Sequence, residues 1–310
     1  MPGTPPTSVL LSTTSWTDVV EEVAGQIGPS DELLVICDRE SDPVADRIAG
    51  QDAGARGSVR LVVAGEPEGC SGKANAVAAG MEAAERDRIV WTDDDFHHPE
   101  CWLDRLHADY DRQGPTTEVP FFVGRDPLAV LLEPQYALGG TLGVYLGRIA
   151  WAGAVIFERD DLPDEGAFLR DLRRTVSDDG LLSDRIDVTP VKRVRRVPIG
   201  GSLRTSIERH VRFVQIVRRH ALAGIVLNGV VATVVTVVGI LFPLPAFLIL
   251  SAILTAVYVS FDVRRWTVLL AYPSTLLSAP LMAYALARRT FVWGGRRYRW
   301  RGKFDVEILE

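Results

Sequence analysis

Lysine, cysteine and methionine are each present only three times in this 310-residue chain, and histidine five times. Cys37, Cys70 and Cys101 stand far apart, with no C-x-x-C pair and an odd count. That excludes a zinc ribbon and a disulfide framework and leaves reduced core-fillers as the expectation. Basic charge is also scarce where it would matter for nucleic acid: residues 1–190 carry 16 Lys/Arg against 35 Asp/Glu. A body this acidic lacks the phosphate-binding footprint of a nucleic-acid protein, and no such partner is expected. The first residues, M-P-G-T-P-P-T-S, contain no basic run followed by an apolar one. No secretory signal is read there, and the acidic body is expected on the cytoplasmic side of a membrane.

Charge of either sign is missing altogether from Ala221 to Phe261, 41 residues interrupted only by F-P-L-P at 242–245. Each side of that break is about 20 residues, enough for a helix to cross a hydrocarbon core of ~30 Å. A third apolar stretch, Trp266–Ala287, contains Pro273 and Pro280, which predict a broken or re-entrant segment. The tail from Arg288 onward is basic, and the preference of Lys and Arg for the cytoplasm puts it there. In residues 201–220, Ile207, Val211, Val214 and Val217 recur at three- and four-residue intervals beside arginines. That spacing predicts an amphipathic helix lying on an anionic bilayer.

The acidic body alternates in type. Short apolar runs at Val9–Leu11, Leu33–Cys37, Val59–Val63 and Ile89–Trp91 read as strands; Thr17–Gln26, Pro43–Ala49 and Lys73–Ala84 read as helices. This βαβ rhythm predicts a mostly parallel sheet with helices on both faces. Ligands of such sheets collect at the carboxyl ends of the strands, where Asp38 and the triplet Asp93-Asp94-Asp95 fall. The G-C-S-G-K-A stretch (69–74) fails the phosphate-loop pattern, because Pro67 and Ala74 stand at two required positions. A helix-opening turn whose backbone N–H groups and Lys73 face a phosphate survives that failure, alongside a plain helix start.

Three adjacent carboxylates repel unless something positive joins them. A hard divalent cation does so with oxygen ligands, and Mg²⁺ typically takes one or two carboxylates plus substrate phosphates. In extended chain Asp93 and Asp95 point the same way and Asp94 the opposite way. Asp93 and Asp95 are therefore the expected metal ligands, while His97 and His98 read as loop residues at least as well as ligands.

With these pieces in order, the sequence resembles the inverting, family-2 type of glycosyltransferase with a GT-A fold, closest to the membrane-bound ceramide-glucosyltransferase-like branch. L-L-V-I-C-D (33–38) is similar to the strand whose terminal aspartate holds the nucleotide base, and G-K-A-N-A (72–76) to the turn before the donor-site helix. D-D-D-F-H-H-P (93–99) is similar to the D-x-D pattern, carried by Asp93 and Asp95. W-A-G-A-V-I-F (151–157) resembles the stretch lining the acceptor side, and S-D-D-G (177–180) the acidic pair that supplies the base. R-H-V-R-F (209–213) resembles the (Gln/Arg)-x-x-Arg-Trp signature with Phe213 for tryptophan, and W-G-G-R-R-Y-R-W-R-G (293–302) the branch's basic tail.

The resemblance implies a Rossmann-like GT-A catalytic domain over 1–200, an interfacial helix at 201–220, α-helical membrane segments at 221–287 and a basic tail at 288–310. It implies a nucleotide-sugar donor, a UDP-hexose, and Mn²⁺ or Mg²⁺ as cofactor. Asp38, Lys73, Asp93, Asp94, Asp95 and Arg212 would bind the donor; Trp151, Gly153, Arg209 and Phe213 would face a membrane lipid or lipid-linked acceptor. Asp179 would be the general base, with Asp178 beside it. Trp293, Arg296, Arg297 and Tyr298 would fold back toward the site. The alternative of a different class is a non-catalytic, membrane-anchored nucleotide-sugar-binding or scaffold protein, for which an acidic metal site has no use.

Overall fold

The computed structural model describes residues 4–49 and 58–309. The first three residues of the N-terminal stretch, where no signal was read, lie outside them. In chain order the elements are β1 (Thr7–Ser12), α1 (Asp18–Ala24), β2 (Glu32–Cys37), α2 (Pro43–Ala49), β3 (Ser58–Val63), α3 (Gly72–Ala83), β4 (Arg88–Asp93) and α4 (Trp102–Gln113). Then come β5 (Thr116–Gly124), α5 (Pro127–Tyr136), α6 (Gly143–Gly147), β6 (Ala154–Glu158), α7 (Glu165–Leu172), α8 (Asp178–Ser183) and β7 (Thr189–Ile199). The chain ends with α9 (Leu203–His220), α10 (Leu222–Leu241), α11 (Pro243–Ser260), α12 (Ala271–Ala287), β8 (Thr290–Trp293), β9 (Arg296–Gly302) and β10 (Asp305–Leu309).

Seven strands form one sheet in the order β3-β2-β1-β4-β6-β5-β7, with β1, β2, β3 and β4 mutually parallel and β6 antiparallel to β4. The chain divides into two compact units that are not sequential: Met1–Glu118, Arg148–Val191 and Phe304–Glu307 in the first, Val119–Gly147, Lys192–Lys303 and Ile308–Glu310 in the second. Strand β5 passes from one into the other.

In the first unit the sheet is covered on both faces, as the near-continuous apolar strands require. Val9, Leu11, Leu33, Val35, Val90 and Ile156 are fully buried on one face, and Leu34, Ile89, Val155 and Phe157 on the other. On that second face α3, α7 and α8 supply Val77, Met81, Phe168, Leu172 and Leu181. Trp91 is stacked with Phe168 at 6.0 Å and meets Phe157 edge-on at 5.3 Å. Cys37 and Cys70 are buried fillers as expected, whereas Cys101 is exposed at the start of α4 with φ +60°.

The second unit contains three helical segments long and apolar enough to cross a membrane: Leu222–Leu241, Pro243–Ser260 and Trp266–Ala287. The prolines expected to break the last of these do not. It opens with a 3₁₀ turn (Trp266–Leu270), after which α12 runs unbroken through Pro273 and Pro280. Pro273 sits in the first turn, where its missing N–H has no helical partner to lose, and Pro280 removes a single bond.

Two features fix this unit internally. Glu133 of α5 is fully buried and accepts four hydrogen bonds, from Arg265 Nε (2.9 Å), Arg265 Nη2 (2.7 Å), Thr267 Oγ1 (2.6 Å) and Gly124 N (2.8 Å). Helix α9 turns a mixed face inward. Val211 and Val214 of the expected apolar stripe are buried against protein, together with Glu208, His210, Arg212 and Gln215. Glu208 accepts from Val292 N (2.9 Å) and Arg288 Nη2 (3.1 Å), and Gln215 Nε2 donates to the carbonyls of Ala285 and Arg288. The basic tail is thereby folded: β8 and β9 pair as a hairpin whose two-residue turn is Gly294-Gly295, with φ +54° and +76°. Both turn positions need positive φ, which glycine adopts without a Cβ clash.

Candidate active site

The carboxyl edge of the parallel strands is where the first unit gathers its polar side chains. Ser12 at the end of β1 is in register with Asp93 at the end of β4, and with Ile36 of β2. Asp38 follows two residues after Ile36, so it lies on this edge two strands over from Asp93 and further along the chain direction. Helix α3 begins at the same edge. Ser71 caps it by accepting from Ala74 N (3.0 Å) and donates its own proton to the carbonyl of Val176 (2.8 Å), while Ser71 N donates to Thr175 O (3.0 Å). These bonds tie the start of α3 to the start of α8, about a hundred residues later in the chain. Lys73 thus comes beside Asp178 and Asp179.

Lys73 Nζ pairs with Asp93 Oδ1 and donates to Ser12 Oγ at 3.0 Å. Burial disfavours its ammonium, but the charges of Asp93, Asp178 and Asp179 outweigh that and raise its pKa. Asp178 is buried, and its Oδ2 takes no hydrogen bond. Burial lifts its pKa and Asp93 adds to the rise, against the pull of Lys73. Asp179 is lifted further, by burial and then by Asp178. Its Oδ1 accepts the Ala152 N–H, which fixes the carboxyl's orientation. One lysine among three aspartates leaves a net negative pocket in which a proton or a cation is welcome.

The 151–153 stretch closes the ring of contacts. Trp151 is buried, with its N–H on Thr117 Oγ1 (3.0 Å) and its ring 5.2 Å from Phe96. Gly153 passes directly under that ring; a Cβ built there would lie 2.2 Å from Trp151 Cζ2. Thr92, just before Asp93, donates to Gly153 O (2.9 Å), so its hydroxyl must accept from His98 Nε2 at 2.6 Å. His98 is accordingly a buried structural residue rather than a loop histidine in water, and His97 is exposed on Glu22 at 2.7 Å.

The aspartate triplet is not extended. Strand β4 ends at Asp93 and the chain bends over the next three residues. Asp94 is half-buried, its pKa raised by burial against a hydrogen bond from Thr13, and Asp95 is exposed. The strand-like alternation expected of Asp93 and Asp95 therefore does not apply. Among the described residues no three Asp, Glu, His or Cys side chains form a ready-made metal cage. The donors that gather are all oxygens, and a partnerless buried carboxylate oxygen at Asp178 is among them. Such a set suits a hard cation that brings other ligands with it.

Arg209, Arg212 and Phe213 belong to the second unit. The guanidinium of buried Arg212 lies 4.0 Å from the Trp293 ring centroid and 5.5 Å from that of Phe213, and Arg209 stacks over Phe213 at 5.8 Å. The tail residue Trp293 thus packs on Arg212. Beside them Tyr136 and His210 are buried, with no hydrogen bond to the Tyr136 hydroxyl or to either His210 nitrogen. Burial pushes the His210 imidazole down to about 4.

Ser71, Ser12, Thr92 and the Ala152 amide were not singled out from sequence. Only Ser71 carried a local signal, a serine directly before a helical run.

No known family model matches the chain, and no curated protein does. Among solved structures, glucosyl-3-phosphoglycerate synthase from Mycobacterium tuberculosis in complex with phosphoglyceric acid is similar at 17% identity, over 68% of this chain and 80% of that one, with a TM-score of 0.40. S. aureus TarS 1-349 in complex with UDP-GlcNAc is similar at 12% identity over 98% and 99% of the two chains, with a TM-score of 0.41. A further similar chain, described only as a mycobacterial protein, has 18% identity over 68% and 74% and a TM-score of 0.42.

Proposed function

We propose that this chain is a membrane-bound inverting glycosyltransferase of the GT-A type, moving a hexose from a UDP-sugar to the hydroxyl of a lipid or lipid-linked acceptor. The observation that carries the reading is the meeting of Lys73, Asp93, Asp178 and Asp179 at the carboxyl edge of a parallel sheet. The order of motifs along the sequence and the three long apolar helices support it.

Asp93 and Asp95 would hold Mn²⁺ or Mg²⁺, which when bound would supply positive charge to the departing nucleotide diphosphate. Lys73, now paired with Asp93, is within the same cluster and adds a cation for that diphosphate. Asp179 is the base. Its Oδ1 is fixed by the Ala152 amide, and Oδ2 accepts the proton of the attacking hydroxyl. A raised pKa suits this task, because a base titrating nearer neutrality takes a proton with less penalty. Asp178, with one buried oxygen unpartnered, offers an acceptor for a hydroxyl of the donor sugar. Trp151 over Gly153 forms an apolar wall on the Asp179 side.

Membranes containing the protein are incubated with Mn²⁺ and a panel of labelled UDP-sugars, and label is followed into the lipid extract. One donor is expected to label lipid, and Asp179→Asn to lower that rate by roughly 10²–10⁴-fold while donor affinity persists. Label remaining in intact donor for every UDP-sugar overturns the transferase reading; loss of donor binding in Asp179→Asn removes that residue from the base role.

A further inference from the structure

Within the second unit a groove of about 520 Å³ runs between α10 and α12, lined by Leu222, Ile225, Gly229, Val230, Met282 and Ala283 among others, with Arg218 at one end. That volume falls in the range of small-ligand sites. We propose that the groove is a specific site for an anionic glycerophospholipid, one acyl chain lying between the helices and the phosphate on Arg218. The site is separate from the transferase reading, since nothing in it requires the lipid to be an acceptor.

The chemistry of the lining limits the occupant. Its walls are apolar, and the hydroxyl of Thr233 donates its proton to Gly229 O of its own helix at 2.8 Å, leaving no hydroxyl donor in the groove wall. Nothing inside asks for a polar group. Gly229 supplies the depth: without a side chain it leaves the space beside Met282, whose sulfur would lie 3.6 Å from a Cβ built there. From Leu222 to Val234 the groove follows about 18 Å of helix at 1.5 Å per residue. That is slightly more than half of a ~30 Å hydrocarbon core, the depth of one leaflet.

Charge at the mouth names the headgroup. Helix α9 ends in Arg218, Arg219 and His220. Arg219 turns inward, its Nη2 donating to the carbonyl of Trp300 and its guanidinium 5.9 Å from that ring, and the His220 ring lies 6.0 Å from the same indole. Arg218 is exposed and, among the described residues, makes no hydrogen bond or ion pair; its one electrostatic neighbour is the like charge of Arg219. An arginine fork left open where an apolar groove meets the membrane surface matches a phosphate on a hydrocarbon chain.

The test uses the full chain in detergent and three probes: dioleoyl phosphatidic acid, dioleoylglycerol with the same chains and no phosphate, and inorganic phosphate. Binding is read by native mass spectrometry and by titration. The expected result is one retained phosphatidic acid per chain, bound about tenfold or more tighter than dioleoylglycerol, as a charge-assisted bond at the headgroup implies. Phosphate alone should not saturate the site. Arg218→Gln, an exposed position without partners, should bring phosphatidic acid down to the dioleoylglycerol level, and Gly229→Leu should weaken both lipids. Equal affinity for the two lipids, unchanged preference in Arg218→Gln, or phosphate binding as tightly as the lipid overturns the site. Because the readout is binding, the outcome does not depend on any transferase activity.

Discussion

Replacing Lys73 with methionine keeps the side-chain length and deletes the one cation among three carboxylates. The Lys73 and Asp93 side chains are 12% and 29% exposed, so the pair is largely out of solvent. Removing one partner of a fully buried pair costs about 3–5 kcal/mol. Asp93 keeps some contact with water, which lowers the expectation to about 2–3 kcal/mol. For a unit of this size each kcal/mol moves the midpoint by ~2–4 °C, giving a fall of about 4–12 °C. The loss should depend on pH in a defined direction. Lys73 has a raised pKa, so it stays charged at neutral and acid pH, and its own titration removes the pairing only as pH climbs through that raised value. The carboxylates set the rest. Asp178 and Asp179 are already pushed upward, and without the ammonium they take protons more readily still. The variant should therefore be much weaker than the parent at pH 8 and close to it near pH 4. Thermal unfolding followed by tryptophan fluorescence in detergent, at low salt and three pH values, measures this. An equal deficit at every pH, or none at pH 8, would refute Lys73 as the counter-charge of the acidic cluster.

Asp179→Asn should stabilise the protein at pH 8 while lowering turnover by roughly 10²–10⁴-fold. Burial and the neighbouring Asp178 raise the Asp179 pKa, so the folded state loses stability as pH rises from the unfolded value toward the folded one. Near pH 4 the gain in midpoint should shrink toward zero; a gain that persists there would show that charge is not its cause. Glu133→Ala strips four hydrogen bonds from one buried position and leaves the largely buried Arg265 without its counter-charge. A loss of about 3 kcal/mol is expected in denaturant or thermal unfolding, and a loss below 1 kcal/mol would contradict the buried-pair account. Gly153→Ala puts a methyl 2.2 Å from a Trp151 ring atom, so the indole must move. The expected cost is about 1–3 kcal/mol, accompanied by a shift in tryptophan emission; an unchanged spectrum would mean that the ring does not rest on Gly153.

Much of the first unit was legible because its signals are local. Short, mostly apolar runs of three to five residues place β2, β3 and β4 to within two residues of their ends, and Asp38 and Asp93 lie at strand ends as expected. Other features failed where a local rule met a tertiary demand. Strand alternation would put Asp93 and Asp95 on one side, but the chain bends after Asp93. His98 looked like a loop residue from its neighbours in sequence, yet Thr92, Phe96 and Trp102 enclose it. The stripe on α9 suits a membrane surface as well as a protein one, because periodicity reveals that a helix has an apolar side and says nothing of what covers it. Val211 and Val214 are covered by protein.

Local chemistry along the chain sets the period of each segment, the apolar length of the three long helices, and the identity of the acidic groups at strand ends. These follow from backbone geometry and from transfer of side chains out of water, which act within a few residues of chain. Packing in three dimensions is what brings Lys73, Asp93, Asp178 and Asp179 into one pocket, aims Asp179 with the Ala152 amide, and lays Trp293 on Arg212. Those pairings join segments tens to a hundred residues apart, and they are chosen by how helices and strands pack on one another and by the high cost of leaving a buried charge without a partner.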